Sequence, residues 1–213
     1  MGGVAVARAL GGLGQMRGSM GRWLSAVRPA ALTLAVAFGP AAAFAGETSD
    51  RAIEAEQLLG QGRPADAQAA FDKAAAAFWI ASPLQLRVAT FADDVKGFGN
   101  YTPHQGTTFK PDETLLIYLE PIDYAFAPEG DSFKVRIAVD LEIRTPGGLV
   151  LGKSPDFGHL EWSARSKTRE IHATLKLPLP KLKSGDYQLI ITLRDQGSPK
   201  TAMITMPFSI RAP

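Results

Sequence analysis

Phe133-Lys134-Val135-Arg136-Ile137-Ala138-Val139-Asp140-Leu141-Glu142-Ile143 is the stretch that decides the fold class. Phe133, Val135, Ile137, Val139, Leu141 and Ile143 share one phase, and Lys134, Arg136, Asp140 and Glu142, with Ala138 between them, occupy the other. Side chains in a strand alternate between faces, so this pattern predicts a strand with one dry and one wet face. Working outward, Leu115, Ile117 and Leu119 share a phase. So do Ile171, Ala173, Leu175 and Leu177, then Tyr187, Leu189, Ile191 and Leu193. The final run sets Ala202, Ile204, Met206, Phe208 and Ile210 on one face, and Pro207 assigns it an edge or a bulge. Leu84, Leu86 and Val88 begin the series in a run ending near Asp93-Asp94. Leu149 to Leu151 and His159 to Ala164 read as two further short strands, the latter weaker. Seven or eight strands separated by Pro and Gly turns, with no helical period between them, predict two antiparallel sheets packed face to face across residues 84–213.

Before Pro83 the period is helical. Ala52, Ala55, Leu58 and Leu59 recur at helix spacing behind a cap at Ser49 or Asp50, and Gly60-Gln61-Gly62-Arg63-Pro64 interrupts them. A second helix starting at Pro64 or Ala65 and ending by Ser82 carries Ala67, Ala70, Phe71, Ala74 and Phe78 in one stripe. Residues 47–82 thus form a short αα-hairpin. Leu59, Gly62, Ala67, Phe71 and Ala74 give it a resemblance to a single degenerate tetratricopeptide repeat. One repeat cannot build a solenoid, so the stripe is expected to pack on the β domain. Peptide binding would need neighbouring repeats from a partner.

Residues 1–28 hold Arg8, Arg17, Arg22 and Arg28 without an acid, and the apolar run 30–45 ends in Ala43-Phe44-Ala45. This is the pattern of a secretory signal peptide spanning 1–45, cleaved near Ala45, and it implies a periplasmic or secreted mature chain. An uncleaved anchor is the rival reading, but the run is short for a bilayer span and Gly39-Pro40 interrupts it. Met16 and Met20 are alternative starts. Removing the leader takes four of 23 bases and none of 21 acids, leaving 19 against 21. The overall basic charge therefore belongs to the leader and does not predict a nucleic-acid partner. The chain has no cysteine, which excludes thiol catalysis and a lipoprotein anchor. No segment after residue 45 is long and apolar enough to cross a membrane.

Leu182-Lys183-Ser184-Gly185-Asp186-Tyr187 resembles the start of the penultimate strand in immunoglobulin-like and fibronectin-like domains. The resemblance implies that the tyrosine folds back to bond the preceding backbone, and that the fold is a mainly β, immunoglobulin-like antiparallel sandwich. A wider succession of words also carries a likeness: Trp79, Ser82-Pro83-Leu84, Gly97-Phe98-Gly99, Phe109-Lys110-Pro111-Asp112-Glu113, Tyr118-Leu119-Glu120-Pro121, Gly185-Asp186-Tyr187, Asp195, Lys200 and Pro207-Phe208. Together they resemble uncharacterised exported bacterial proteins with β-sandwich domains, which implies a periplasmic setting and supplies no site residues.

The search for chemistry yields surfaces rather than a catalytic set. His104, His159 and His172 lack metal-ligand spacing, so no metal site and no cofactor is predicted; His172 reads as a solvated strand residue. No G-x-S-x-G elbow occurs. Asp93-Asp94, Glu120 with Asp123, and Asp140 with Glu142 are candidate carboxylate pairs for calcium or glycoside chemistry. The last pair lies beside Lys134 and Arg136, as on an ordinary charged sheet face. The segment Gly97 to Gly106 reads as an aromatic loop. Its Phe98, Tyr101 and His104 either plug one end of the sandwich or, with Trp162, form a binding surface. Tyr118 is out of phase with Ile117 and is expected to point outward and cover the hairpin. The function expected is that of a non-catalytic accessory or scaffold protein with an envelope protein as partner. Binding of a glycan or small molecule at the loops is the alternative.

Overall fold

The computed structural model describes residues 41–211, with side chains from Gly46 onward, together with the backbone of Val6–Ala7. The rest of the expected leader, residues 1–45, lies outside the described residues. The architecture is mainly β: two packed sheets preceded by a two-helix hairpin.

Helix α1 spans Ala41–Gly60 and α2 spans Pro64–Ala81. The first begins well before the expected cap, leaving Ser49 and Asp50 inside it. Alanine is the strongest helix former, and the alanine-rich stretch carries the helix back across the expected cleavage point. At the turn, Gly62 takes a φ of 72°, and the Gly62 and Arg63 amides donate to the carbonyls of Leu59 and Leu58 at 3.0 Å. Glycine adopts this left-handed conformation without a Cβ penalty. Pro64 then opens α2, where its missing N–H costs nothing. The helices meet through small side chains, with Ala55, Ala67, Ala70, Ala74 and Ala77 all buried.

Val6–Ala7 is β1. Among the described residues the sandwich holds seven strands of six or more residues: β2 (Gln85–Gly97), β5 (Thr114–Ile122), β7 (Ser132–Arg144), β8 (Val150–Ala164), β9 (Ala173–Pro178), β10 (Gly185–Asp195) and β11 (Thr201–Ile210). Three short strands complete it: β3 (Asn100–Pro103), β4 (Thr108–Phe109) and β6 (Ala127–Glu129). One sheet has the order β1-β9-β5-β2-β3 and the other β4-β11-β10-β7-β6, with β8 also pairing β7. Leu115, Ile117, Leu119 and Leu175 face Ile137, Val139, Leu189, Ile191 and Leu193 across the core, and all nine are fully buried.

Two segments differ from expectation. The two short strands foreseen around 149–151 and 159–164 are one strand, β8, paired with β7 from Phe133 to Arg144 through register shifts. Asp156 has a φ of 49°, and its amide donates to Asp140 Oδ1 at 2.8 Å. Strand pairing therefore runs through a region whose Gly152 and Pro155 read locally as a break. The supposed loop after Asp94 is largely a β-hairpin, in which Gly97 faces Asn100 across a Phe98-Gly99 turn. Pro207 sits as expected. The amides of Ser209 and Arg211 donate outward to Thr107 and Phe109, so the N–H missing at 207 falls on that outer side, which β4 covers only at Ser209–Ile210.

Candidate functional site

The turn between β2 and β3 places Phe98 and Tyr101 over the outer face of the first sheet. Tyr101 stacks on Tyr118, with ring centroids 4.0 Å apart and planes at 21°. His172, from the β9 side, stacks on Tyr118 at 5.7 Å. Gly99, at a φ of 65°, donates its amide to the Tyr118 hydroxyl at 2.8 Å, and that hydroxyl donates to Glu120 Oε1 at 2.6 Å. Arg87 donates from Nε to Glu120 Oε2 at 2.9 Å and lies 5.3 Å above the Phe98 ring. Tyr118 does point outward, but its own aromatic neighbours bury it and it does not cover the hairpin. Burial first, then the bond to Glu120, pushes its pKa up to about 12, so it stays a neutral donor.

His104 belongs to another cluster. Its Nδ1 lies 2.6 Å from Asp93 Oδ1, its ring stacks on Phe109 at 4.5 Å, and its amide donates to the Phe91 carbonyl. Phe91 and Phe109 in turn meet Phe208, so His104 caps one end of the core. Trp162 shares the inward phase of Leu160 on β8 and sits opposite Val135. It borders a cavity of about 10 Å³ with His172, Pro121 and Ile171. Trp162 Nε1 and His172 Nε2 are buried there without a hydrogen-bond partner. His172 is therefore not a solvated strand residue; burial lowers its pKa and favours the neutral ring. Of the four residues singled out in sequence, only Phe98 and Tyr101 share a cluster, and one ring face of each is covered, by Arg87 and by Tyr118.

The carboxylates are similarly engaged. Asp140 accepts from Arg194 Nε at 2.9 Å and is held below the usual carboxylate range, chiefly by that bond. Arg194 also bonds Asp156. Glu142 pairs with Arg144 and Lys153, as the charged-face reading expects. Asp93 meets His104, and Asp94 lies 3.9 Å from Lys96. Asp123 is buried, which raises its pKa, and it accepts from Gln85 Nε2. Among the described residues no three His, Asp or Glu side chains gather as metal ligands.

The other surface is the helical hairpin. Trp79 near the end of α2 donates from Nε1 to the Tyr124 carbonyl at 2.7 Å, meets Tyr124 edge-on at 5.1 Å and stacks on Phe126 at 6.0 Å. Arg169 covers the ring at 5.2 Å. Lys200 donates from Nζ to the carbonyls of Trp79 at 3.2 Å and Asp123 at 2.8 Å. Asp195 ties the same region to the β10–β11 turn by accepting from the Ala125 and Gly197 amides and the Ser198 hydroxyl. The rest of the apolar stripe does not pack on the sandwich, contrary to expectation. Ile53, Leu59, Phe71, Phe78 and Ile80 are 50%, 62%, 56%, 61% and 57% exposed. The alanines of α2 fill the helix–helix seam, which leaves both phenylalanines outside it. A groove of about 350 Å³ runs between the helices, flanked by Leu59 and Phe71. Periodicity had identified the apolar residues without indicating which face each would occupy.

No protein-family model and no curated protein matches the chain. Among solved structures, a superoxide reductase (neelaredoxin) from Ignicoccus hospitalis is similar over 59% of this chain and 82% of its own, at 11% identity and a TM-score of 0.30. The sporulation control protein Spo0M from Bacillus subtilis is similar over 62% of this chain and 51% of its own, at 7% identity and a TM-score of 0.32. At these scores neither likeness bears on fold or function.

Proposed function

We propose that the chain is a non-catalytic accessory protein of the bacterial periplasm or exterior, and that its helical hairpin docks a protein partner. The exposed apolar face of the hairpin is the observation that supports this reading. Leu59 and Phe71, which flank one groove, and Phe78, two turns from Phe71 on the same side of α2, stand in water. Monomeric proteins seldom leave contiguous apolar surface uncovered unless it meets something. The sandwich serves as a rigid base for this arm. An immunoglobulin-like lineage for it is favoured by the Tyr187 hydroxyl, which donates to the Lys183 carbonyl at 2.7 Å. The glycan alternative loses ground because Phe98 and Tyr101 each spend one ring face on a contact within the protein.

Cross-linking in the native envelope tests the proposal. Leu59→Ser with Phe71→Ser should abolish the cross-linked partner, while Phe98→Ala with Tyr101→Ala should leave it in place. The reverse pattern would move the function to the aromatic turn. Cell fractionation with N-terminal sequencing of the mature chain tests the compartment and the cleavage point.

A further inference from the structure

The chemistry of the groove narrows the partner. We infer that the groove between α1 and α2 accepts an amphipathic helix whose apolar stripe is flanked by basic residues, supplied by a different protein. The inference rests on the hairpin being the docking element and adds which chemistry it selects.

Leu59 and Phe71 form the apolar walls, and Ala52, Ala55 and Ala67 form a floor of small side chains. A trough of that kind suits a helix that inserts large side chains at i, i+3, i+4 and i+7. The one charged residue among those lining the groove is Glu56 on α1. On the α2 side Gln68 donates to Asp72 one turn further along, at 2.9 Å. The described lining holds no base.

The whole hairpin leans the same way, with six acids against three bases between residues 46 and 82. Two of those bases are already committed: Arg51 pairs with Glu54 and Arg63 with Asp66, both at 2.9 Å. Charge complementarity steers association and suppresses like-charged partners. A second copy of this hairpin would set acid against acid, so self-association is disfavoured. A helix with lysine or arginine beside its leucines meets Glu56 and Asp72 with opposite charge while filling the trough.

Two synthetic helical peptides of about 18 residues, long enough to hold some helix in isolation, provide the test. Both carry leucine at i, i+3, i+4 and i+7; one has lysine and the other glutamate at the flanking positions. Fluorescence anisotropy with the full chain should show saturable one-to-one binding of the basic peptide, at least tenfold tighter than the acidic one and weakened by salt. Leu59→Ser with Phe71→Ser should remove binding; both sites are exposed, so the fold should survive. Glu56→Lys with Asp72→Lys should invert the preference between peptides. Equal binding of the two peptides, binding of neither, or an unchanged preference in the charge-reversed variant would overturn the inference. So would a dimer in sedimentation that Leu59→Ser with Phe71→Ser dissociates. If neither peptide binds but the envelope cross-link still depends on Leu59 and Phe71, the docking proposal stands and only the basic-helix assignment fails.

Discussion

Replacing Trp79 with alanine should uncouple the hairpin from the sandwich without unfolding either one. The indole Nε1 donates 2.7 Å to the Tyr124 carbonyl, a bond worth about 1 kcal/mol net. Its ring meets Tyr124 and Phe126, and such aromatic pairs contribute roughly 0.5–1.5 kcal/mol each. Trp79 is half-buried, so the cost should fall near the bottom of the range of about 3–5 kcal/mol for a fully buried aromatic reduced to alanine. Lys200 still bonds the carbonyl of residue 79, since that contact is to the backbone. A loss of about 2–3 kcal/mol confined to this joint should accelerate amide exchange in the last turns of α2 by roughly 30–150-fold. Strands β5 and β10 should keep their protection. Hydrogen exchange read by mass spectrometry makes the comparison directly. Uniform loss of protection across α2, β5 and β10 would show that Trp79 supports the core as a whole; unchanged exchange in α2 would show that the joint lies elsewhere.

Three further outcomes are expected. Tyr187→Phe removes the donor to the Lys183 carbonyl and should lower stability by about 1–1.5 kcal/mol in urea titration, with no change in the slope. Gly99→Ala places a Cβ at a φ of 65° and should cost about 1–2 kcal/mol in the same assay, whereas Gly99→Asn, which tolerates that conformation better, should cost less. Asp140 has a folded pKa below its unfolded value, chiefly through its bond to Arg194, so its contribution is present above about pH 4 and is lost as pH falls through the folded value. Arg194→Ala should therefore make the decline of the urea midpoint below pH 4 shallower, although the exposure of this pair keeps the effect small.

The alternation in β5, β7, β10 and β11 made the two-sheet core legible, because a buried strand face must be apolar at every second residue. The edge position of Pro207 was legible from local chemistry, since proline has no N–H to donate, whereas the Tyr187 bond was expected only through the resemblance of Leu182–Tyr187 to immunoglobulin-like domains. Less visible was what depends on a neighbour distant in sequence. Tyr118 carries an outward phase, yet Tyr101 and His172 bury it. Trp162 looked like a surface aromatic because nothing around it indicates that β8 continues through Pro155 with its inward phase restored. The segment after Asp94 has the glycines of a loop, and its pairing with β2 depends on cross-strand bonds that composition does not display. On the hairpin, the helical stripe grouped alanines with phenylalanines, although the small residues close the seam and the large ones turn to solvent.

The joint built by Trp79 and Lys200 separates two sets of selective pressures. Residues that decide whether the chain folds lie between the sheets and at the joint, whereas those proposed to choose a partner line the groove along the helices and contribute little to either. Leu59, Glu56 and Phe71 can therefore drift together with a changing partner while the sandwich stays fixed. Related chains should differ most on the hairpin surface and least around Trp79, Tyr124 and Lys200.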